Sequence, residues 1–168
     1  HLSIRRQRQM CIRDSPKTHY FGFSMGAWIG YGIGKHAPER FHSLILSSMN
    51  PYKDPNAPNN LLELFKKGKD TVWPEIDKIM GQWKTPQLQA RLSANDLEAL
   101  IALVSKDWML NLEDIIPTIT LPCLLIAGEA DPNYSGVKKC ATNMPNATFI
   151  SFPNLGHMDT LFRSDLVI

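Results

Sequence analysis

Short apolar runs alternate along the chain with segments whose apolar positions recur every three or four residues, and the two periods predict strands and helices in turn. Residues 18–23 (Thr-His-Tyr-Phe-Gly-Phe) are β-branched and aromatic and predict a short buried strand. Residues 25–36 predict a helix, which Pro38 stops. Within it Gly26, Gly30 and Gly34 fall four apart and share one face. Each costs a helix about 1 kcal/mol relative to alanine, so that face is expected to lie tightly on a sheet. Residues 42–48 predict the next strand, and the stretch from Asn50-Pro51 to Pro58-Asn59-Asn60 a turn-rich exit.

A more charged, helical block follows, from about Leu61 to Ile119. Leu61, Leu62, Leu64 and Phe65 open one amphipathic segment, and Trp73, Ile76, Ile79 and Met80 mark a second. Asn95 is the expected cap of a third, with Glu98 at the capping-box position and Leu97, Leu100, Ile101 and Val104 as its apolar stripe. Strand character returns at 121–127, a helix is predicted over 135–144 and a strand over 147–152. Gly156-His157 then sits in a loop and the last residues start a helix. Strands alternating with helices around one inserted helical block predict an α/β fold with a mostly parallel sheet and helices on both faces.

Composition narrows the class. With 168 residues, 43% hydrophobic and 20% charged, the chain is an ordinary globular sequence and not an extended disordered one. A formal net charge of +2 gives no nucleic-acid footprint. That charge is concentrated at the front: residues 1–14 hold Arg5, Arg6, Arg8 and Arg13 against Asp14, and the remainder is slightly acidic. Cys11, Cys123 and Cys140 are too scattered for a disulfide framework or a zinc site, so no metal is expected. No apolar run approaches the ~20 residues of a membrane span, and the front lacks a signal-peptide core. A reducing, cytoplasmic setting is the expectation.

The chemistry begins at Gly22-Phe23-Ser24-Met25-Gly26, a G-x-S-x-G string. Alone it is weak, since three fixed residues at about 7% each match by chance in about one such chain in twenty. Its context is specific, because a predicted strand runs in and a predicted helix runs out. A serine on so sharp a turn projects its hydroxyl above the sheet, and Gly22 and Gly26 are expected to remove side chains that would clash there. The helix N-terminus at Met25 offers backbone N–H groups to a developing oxyanion. Such a serine needs a base and the base an acid. Of five histidines, His1, His19, His36 and His42 lie in the front segment, in or beside strands, or at a helix end. Only His157 falls in a loop at the C-terminal edge of the sheet, where reactive groups of open α/β sheets gather. Asp131 sits at the tip of Gly128-Glu129-Ala130-Asp131-Pro132, after the strand ending at 127, with Glu129 as the competing carboxylate.

The order Ser24, Asp131, His157 resembles that of α/β hydrolases. From about Lys17 onward the chain is similar to the C-terminal part of the bacterial esterase, lactonase and cofactor-free haloperoxidase-like members that carry a Gly-Phe-Ser-Met-Gly elbow. His36-Ala37-Pro38-Glu39-Arg40, Leu121-Pro122-Cys123 and Gly156-His157 support the likeness. The resemblance implies Ser24 as nucleophile, Asp131 as acid, His157 as base and the Met25 N–H as one oxyanion donor, with no cofactor. It also implies a core of 16–51 and 117–168 and a helical cap of 52–116. Family members place several strands and the loop carrying a second oxyanion donor before the elbow. Only 23 residues precede Ser24 here, so the expectation is a partial fold whose N-terminal strands are missing. Residues 1–15 are expected to be a non-native or disordered leader, resembling translated adapter sequence at the edge of a metagenomic contig.

The expected function is a serine hydrolase of a small acyl substrate, an ester, a lactone or a related compound. The competing expectations are a non-catalytic binding protein on the same fold and an inactive truncated hydrolase. Leu, Ile and the tryptophans Trp73, Trp83 and Trp108 in the cap suggest an apolar substrate pocket, with ordinary cap packing as the plainer account.

Overall fold

Every strand of the core is followed by chain that must cross back before the next strand begins, and the sheet that results is wholly parallel. The computed structural model describes residues 15–52, 60–105, 111–163 and 165; residues 1–14 of the expected leader, Cys11 among them, and Trp108 lie outside them. Strands β1 (Thr18–Phe23), β2 (Phe41–Ser47), β3 (Cys123–Gly128) and β4 (Ala147–Phe152) lie side by side in chain order. All three neighbouring pairs are parallel, with Leu46 opposite both Gly22 and Leu125.

The alternation of the strands sorts the core. Leu44, Leu46, Cys123, Leu125 and Ala127 point to one face and are buried there against Ala27 and Tyr31 of α1 (Met25–His36) and Val137 and Cys140 of α6 (Tyr134–Asn143). Ile115, Ile116 and Ile119, in and just after the 3₁₀ segment Glu113–Thr118, close this core. The opposite face meets α7 (Asp159–Phe162) where Ser47, one residue on from Leu46, hydrogen-bonds Thr160. The glycine face of α1 packs as expected at two of its three positions. A Cβ on Gly30 would meet Leu46 and Tyr20, and one on Gly34 would meet Leu44 and Ile119, whereas Gly26 has room for one. Strand β1 is not the buried strand its composition suggests. Thr18, His19 and Phe21 are exposed, because within the described sheet β1 is an edge paired only with β2.

The described residues fall into two compact units, one within His1–Tyr52 and Leu112–Ile168 and one within Lys53–Asn111. The first holds the sheet. Its two chain segments meet where Leu112 N donates to Pro51 O at 3.0 Å. The second is helical: α2 (Asn60–Phe65), α3 (Lys69–Met80), α4 (Pro86–Ser93) and α5 (Leu97–Ser105). Its own core is Phe65, Val72, Leu97 and Val104, with Trp73, Ile76, Leu100 and Ile101 packed on it. Two details differ from the sequence reading. Ile79 is exposed, and the inward side of α3 runs through Val72, Ile76 and Met80. Asp96, not Asn95, caps α5: its Oδ1 accepts from Glu98 N at 3.0 Å and Ala99 N at 3.2 Å. Glu98 therefore stands one place too early for a capping box. No helix among the described residues is long and apolar enough to cross a membrane.

Candidate active site

Ser24 is the single residue between the end of β1 and the start of α1. Its backbone takes φ 53° and ψ −121°, a conformation that costs a non-glycine residue about 1–3 kcal/mol. Three contacts hold it there. Ser24 N donates to Ser47 O at the end of β2 (2.9 Å), Trp28 N donates to Ser24 O (3.1 Å), and Tyr20 Oη donates to Gly26 O (2.7 Å). The turn is so tight that a Cβ on Gly22 would lie 2.7 Å from Ala27 N and closer still to the Gly26 carbonyl. Gly26 differs from its expected role, since a Cβ there would come no nearer than 3.9 Å to Tyr20 Oη. Its carbonyl is what Gly22 must accommodate. Met25 opens the helix, so its N–H belongs to the first turn, where no intrahelical acceptor exists.

The acid-bearing loop leaves β3 and is stitched to the loop that follows β4. Glu129 N donates to Phe152 O and Ala130 N to Leu155 O, both at 2.9 Å. A Cβ on Gly128 would fall 2.6 Å from the Leu155 carbonyl carbon and nearer its oxygen, so only glycine lets the two loops approach this closely. Beyond it, Asp131 Oδ1 accepts from Asn133 N at 2.8 Å. His157 follows a turn in which Asn154 adopts φ 61°, a left-handed conformation that asparagine tolerates. Gly156 N donates to Asp159 Oδ2 at 2.7 Å, and the Phe23 ring stands 4.9 Å from the imidazole.

These loops bring three side chains together. His157 Nδ1 lies 3.0 Å from Asp131 Oδ2, and His157 Nε2 lies 3.0 Å from Ser24 Oγ. The Asp131 side chain is fully buried and that of His157 is 27% exposed. Burial pushes the Asp131 carboxyl up. Hydrogen bonds from His157, Asn133 N and the Ser48 side chain, with the charge of His157, outweigh it and hold the group below the usual carboxylate value. An ionised carboxylate only accepts, so His157 Nδ1 carries the proton and Nε2 is left to accept from the Ser24 hydroxyl.

The competing residues stand elsewhere. Glu129 Oε1 accepts from Ser151 Oγ at 3.0 Å and is exposed. His19 Nδ1 pairs with Ser43 Oγ at 2.7 Å and its ring lies 5.2 Å from that of His42, at the opposite end of β1 and β2. His1 lies outside the described residues. Among the described residues no three His, Cys, Asp or Glu side chains gather as a metal set. Three contributors were not legible in advance: Tyr20, Ser48 and Thr160. Only Ser48 left a signal, as the second of two consecutive serines closing an apolar strand.

No protein-family model and no curated protein sequence matches the chain. Solved structures do, and they establish that the chain has the α/β-hydrolase fold. A hydrolase from Pseudomonas aeruginosa PA01 superposes with a TM-score of 0.79 at 17% identity, over 99% of this chain and 67% of that one. MGS-M2, an α/β hydrolase enzyme from a Medee basin deep-sea metagenome library, gives 0.76 at 18% identity, over 96% of this chain and 66% of that one. The enol-lactonase from Burkholderia xenovorans LB400 gives 0.72 at 16% identity, over 95% and 65%. The chain thus spans about two thirds of the length of these proteins.

Proposed function

We propose that the protein is a serine hydrolase of an ester, lactone or related acyl compound. Ser24 is the nucleophile, His157 the general base, Asp131 the acid that orients it, and the Met25 N–H one oxyanion donor. The observation that carries this reading is the unbroken line of contacts from Asp131 Oδ2 through the imidazole to Ser24 Oγ, each 3.0 Å long. Residues 16–51 and 117–168 supply every reacting group, and 52–116 is read as the cap segment. The named hydrolase and enol-lactonase among the similar folds support an acyl substrate.

In this mechanism Ser24 Oγ attacks the substrate carbonyl carbon as its proton passes to His157 Nε2. The oxyanion that forms is met by the first-turn N–H of α1 and the positive end of the helix. The imidazolium, kept in place by Asp131, gives its proton to the leaving oxygen. Water then attacks the acyl-enzyme, returning its proton through His157 and freeing Ser24.

The test is covalent labelling and turnover in the protein. A fluorophosphonate probe is expected to label Ser24, and Ser24→Ala to abolish labelling and lower hydrolysis of short p-nitrophenyl esters by about 10⁴-fold or more. An unlabelled wild-type protein, or an unchanged rate in the variant, rejects the mechanism in favour of a binding role.

A further inference from the structure

Resting on the catalytic reading above, we infer that Asn50 is a positioning residue for the acid: it grips the Asn133 side chain, and Asn133 holds one oxygen of Asp131 so that the other stays turned to His157.

The two carboxylate oxygens of Asp131 have separate partners. Oδ2 faces His157 Nδ1 at 3.0 Å, whereas Oδ1 accepts from Asn133 N at 2.8 Å, with Asn133 Nδ2 at 3.4 Å. The backbone N–H is the tighter contact, so the hold on Oδ1 is only as firm as the placement of Asn133. That placement is secured from outside the loop. Asn50, just beyond the end of β2 and 83 positions away, donates from Nδ2 to Asn133 Oδ1 at 3.0 Å.

A backbone donor sets the direction of this line. The oxygen and nitrogen of an asparagine amide are alike in shape, so its orientation follows from its partners. Tyr52 N can only donate and lies 3.0 Å from Asn50 Oδ1, which fixes that atom as the oxygen. Asn50 Nδ2 then faces Asn133, whose nearer atom must accept. Asn133 Nδ2 is left on the side of the carboxylate, which also only accepts. Reversing either amide would set like against like.

Two details show that the place is made for this side chain. Gly136 stands in the first turn of α6, and a Cβ there would fall 2.5 Å from Asn50 Cγ and 2.7 Å from its Nδ2. The helix forgoes a better helix former to admit the amide. Asn133 stands at the N-cap of α6, where an asparagine side chain ordinarily accepts from first-turn N–H groups, yet it makes no such bond. Its amide goes to Asn50 and Asp131 instead. An ordinary turn at Asn50 accounts for the bond from Tyr52 N, but for neither of these.

The experiment compares Asn50→Ala, Asn50→Ser, Asn133→Ala and the Asn50→Ala/Asn133→Ala double variant in the protein. Rates on one ester are normalised to the fraction of sites a fluorophosphonate titrates, so that unfolded molecules do not count. Asn50→Ala is expected to lower kcat about three- to tenfold, the worth of one hydrogen bond, with KM unchanged. Asn50→Ser can still accept from Tyr52 N but is too short to reach Asn133, and is expected to be as slow as Asn50→Ala. The double variant is expected to be no slower than the slower single one, because the two residues act in one line. An Asn50→Ala kcat equal to wild type, a loss appearing in KM, an Asn50→Ser variant at the wild-type rate, or losses that multiply in the double variant overturns the inference. Ser24→Ala is run alongside: if it is inactive while Asn50→Ala is unimpaired, only the role of Asn50 falls, and if it keeps its activity, the catalytic reading falls with it.

Discussion

The carbonyl of Gly26 occupies the space that a side chain on Gly22 would need. The two glycines of the elbow are therefore not equivalent, and substitution separates them. Gly22→Ala forces backbone against backbone and is expected to destabilise the fold by about 1–3 kcal/mol or more, the usual range for overpacking. Gly26→Ala has room for its methyl and is expected to be neutral or to gain up to about 1 kcal/mol from helix propensity. Urea unfolding of the two variants side by side checks the pair, and equal losses would contradict it.

Glu129 and Asp131 share a loop, but only Asp131 reaches the imidazole. Asp131→Asn can offer its amide N–H to Nδ1 and so stabilises the wrong tautomer, with an expected fall in kcat of about 10⁴. Glu129→Gln is expected to stay within about twofold of wild type, since it loses only an exposed contact. Steady-state kinetics on one ester substrate decides. A larger effect at 129 than at 131 would reassign the acid.

The Asp131 carboxyl titrates below its ordinary value in the folded chain. Between that value and the unfolded one, near about 4, the unfolded chain binds more protons than the folded chain, so stability rises with pH. The contribution is complete above about pH 4 and is lost as pH falls through the lowered value. Denaturation between pH 6 and 3 is expected to show a steeper acid-side decline for wild type than for Asp131→Asn. Parallel curves would remove Asp131 as a source of that slope.

Cys123 and Cys140 are buried, and burial pushes both thiols up to about 12. At pH 8 only about one in ten thousand of each is thiolate, the reactive form. Peptide-mapped labelling by iodoacetamide in the folded protein is expected to leave both unmodified, and labelling in denaturant to modify both. Rapid native modification at either position would show that the core around Tyr31 opens.

The sequence carried the sheet more fully than the helical insertion. Each strand is a dense apolar or β-branched run bounded by proline or glycine, and such runs announce themselves. Helix α4 does not, because none of its residues is buried and no apolar stripe exists to be read. Its start was written instead in Thr85-Pro86, a cap whose Oγ1 accepts from Leu88 N at 3.2 Å and a proline at the first helical position. The exposure of β1 was not readable from its own residues, since neighbours in a sheet decide it. The placement of Ser24, Asp131 and His157 at strand exits followed from local pattern. Thr160 carries no such pattern: it stands 112 positions from Ser48, and only the folded sheet makes the two adjacent.

The hydrogen bond from Leu112 N to Pro51 O has a consequence for how the chain tolerates a change of length. It ties the exit and the re-entry of the helical segment into one junction beyond the end of β2, and among the described residues no strand pairing involves the segment. Closing a longer or shorter excursion between fixed ends alters the chain entropy only logarithmically with length. A change in the length of the 53–111 segment is therefore expected to cost the sheet unit little chain entropy. Among the described residues, the hydrogen bonds that set the spacing of the serine, histidine and aspartate join residues of the sheet unit.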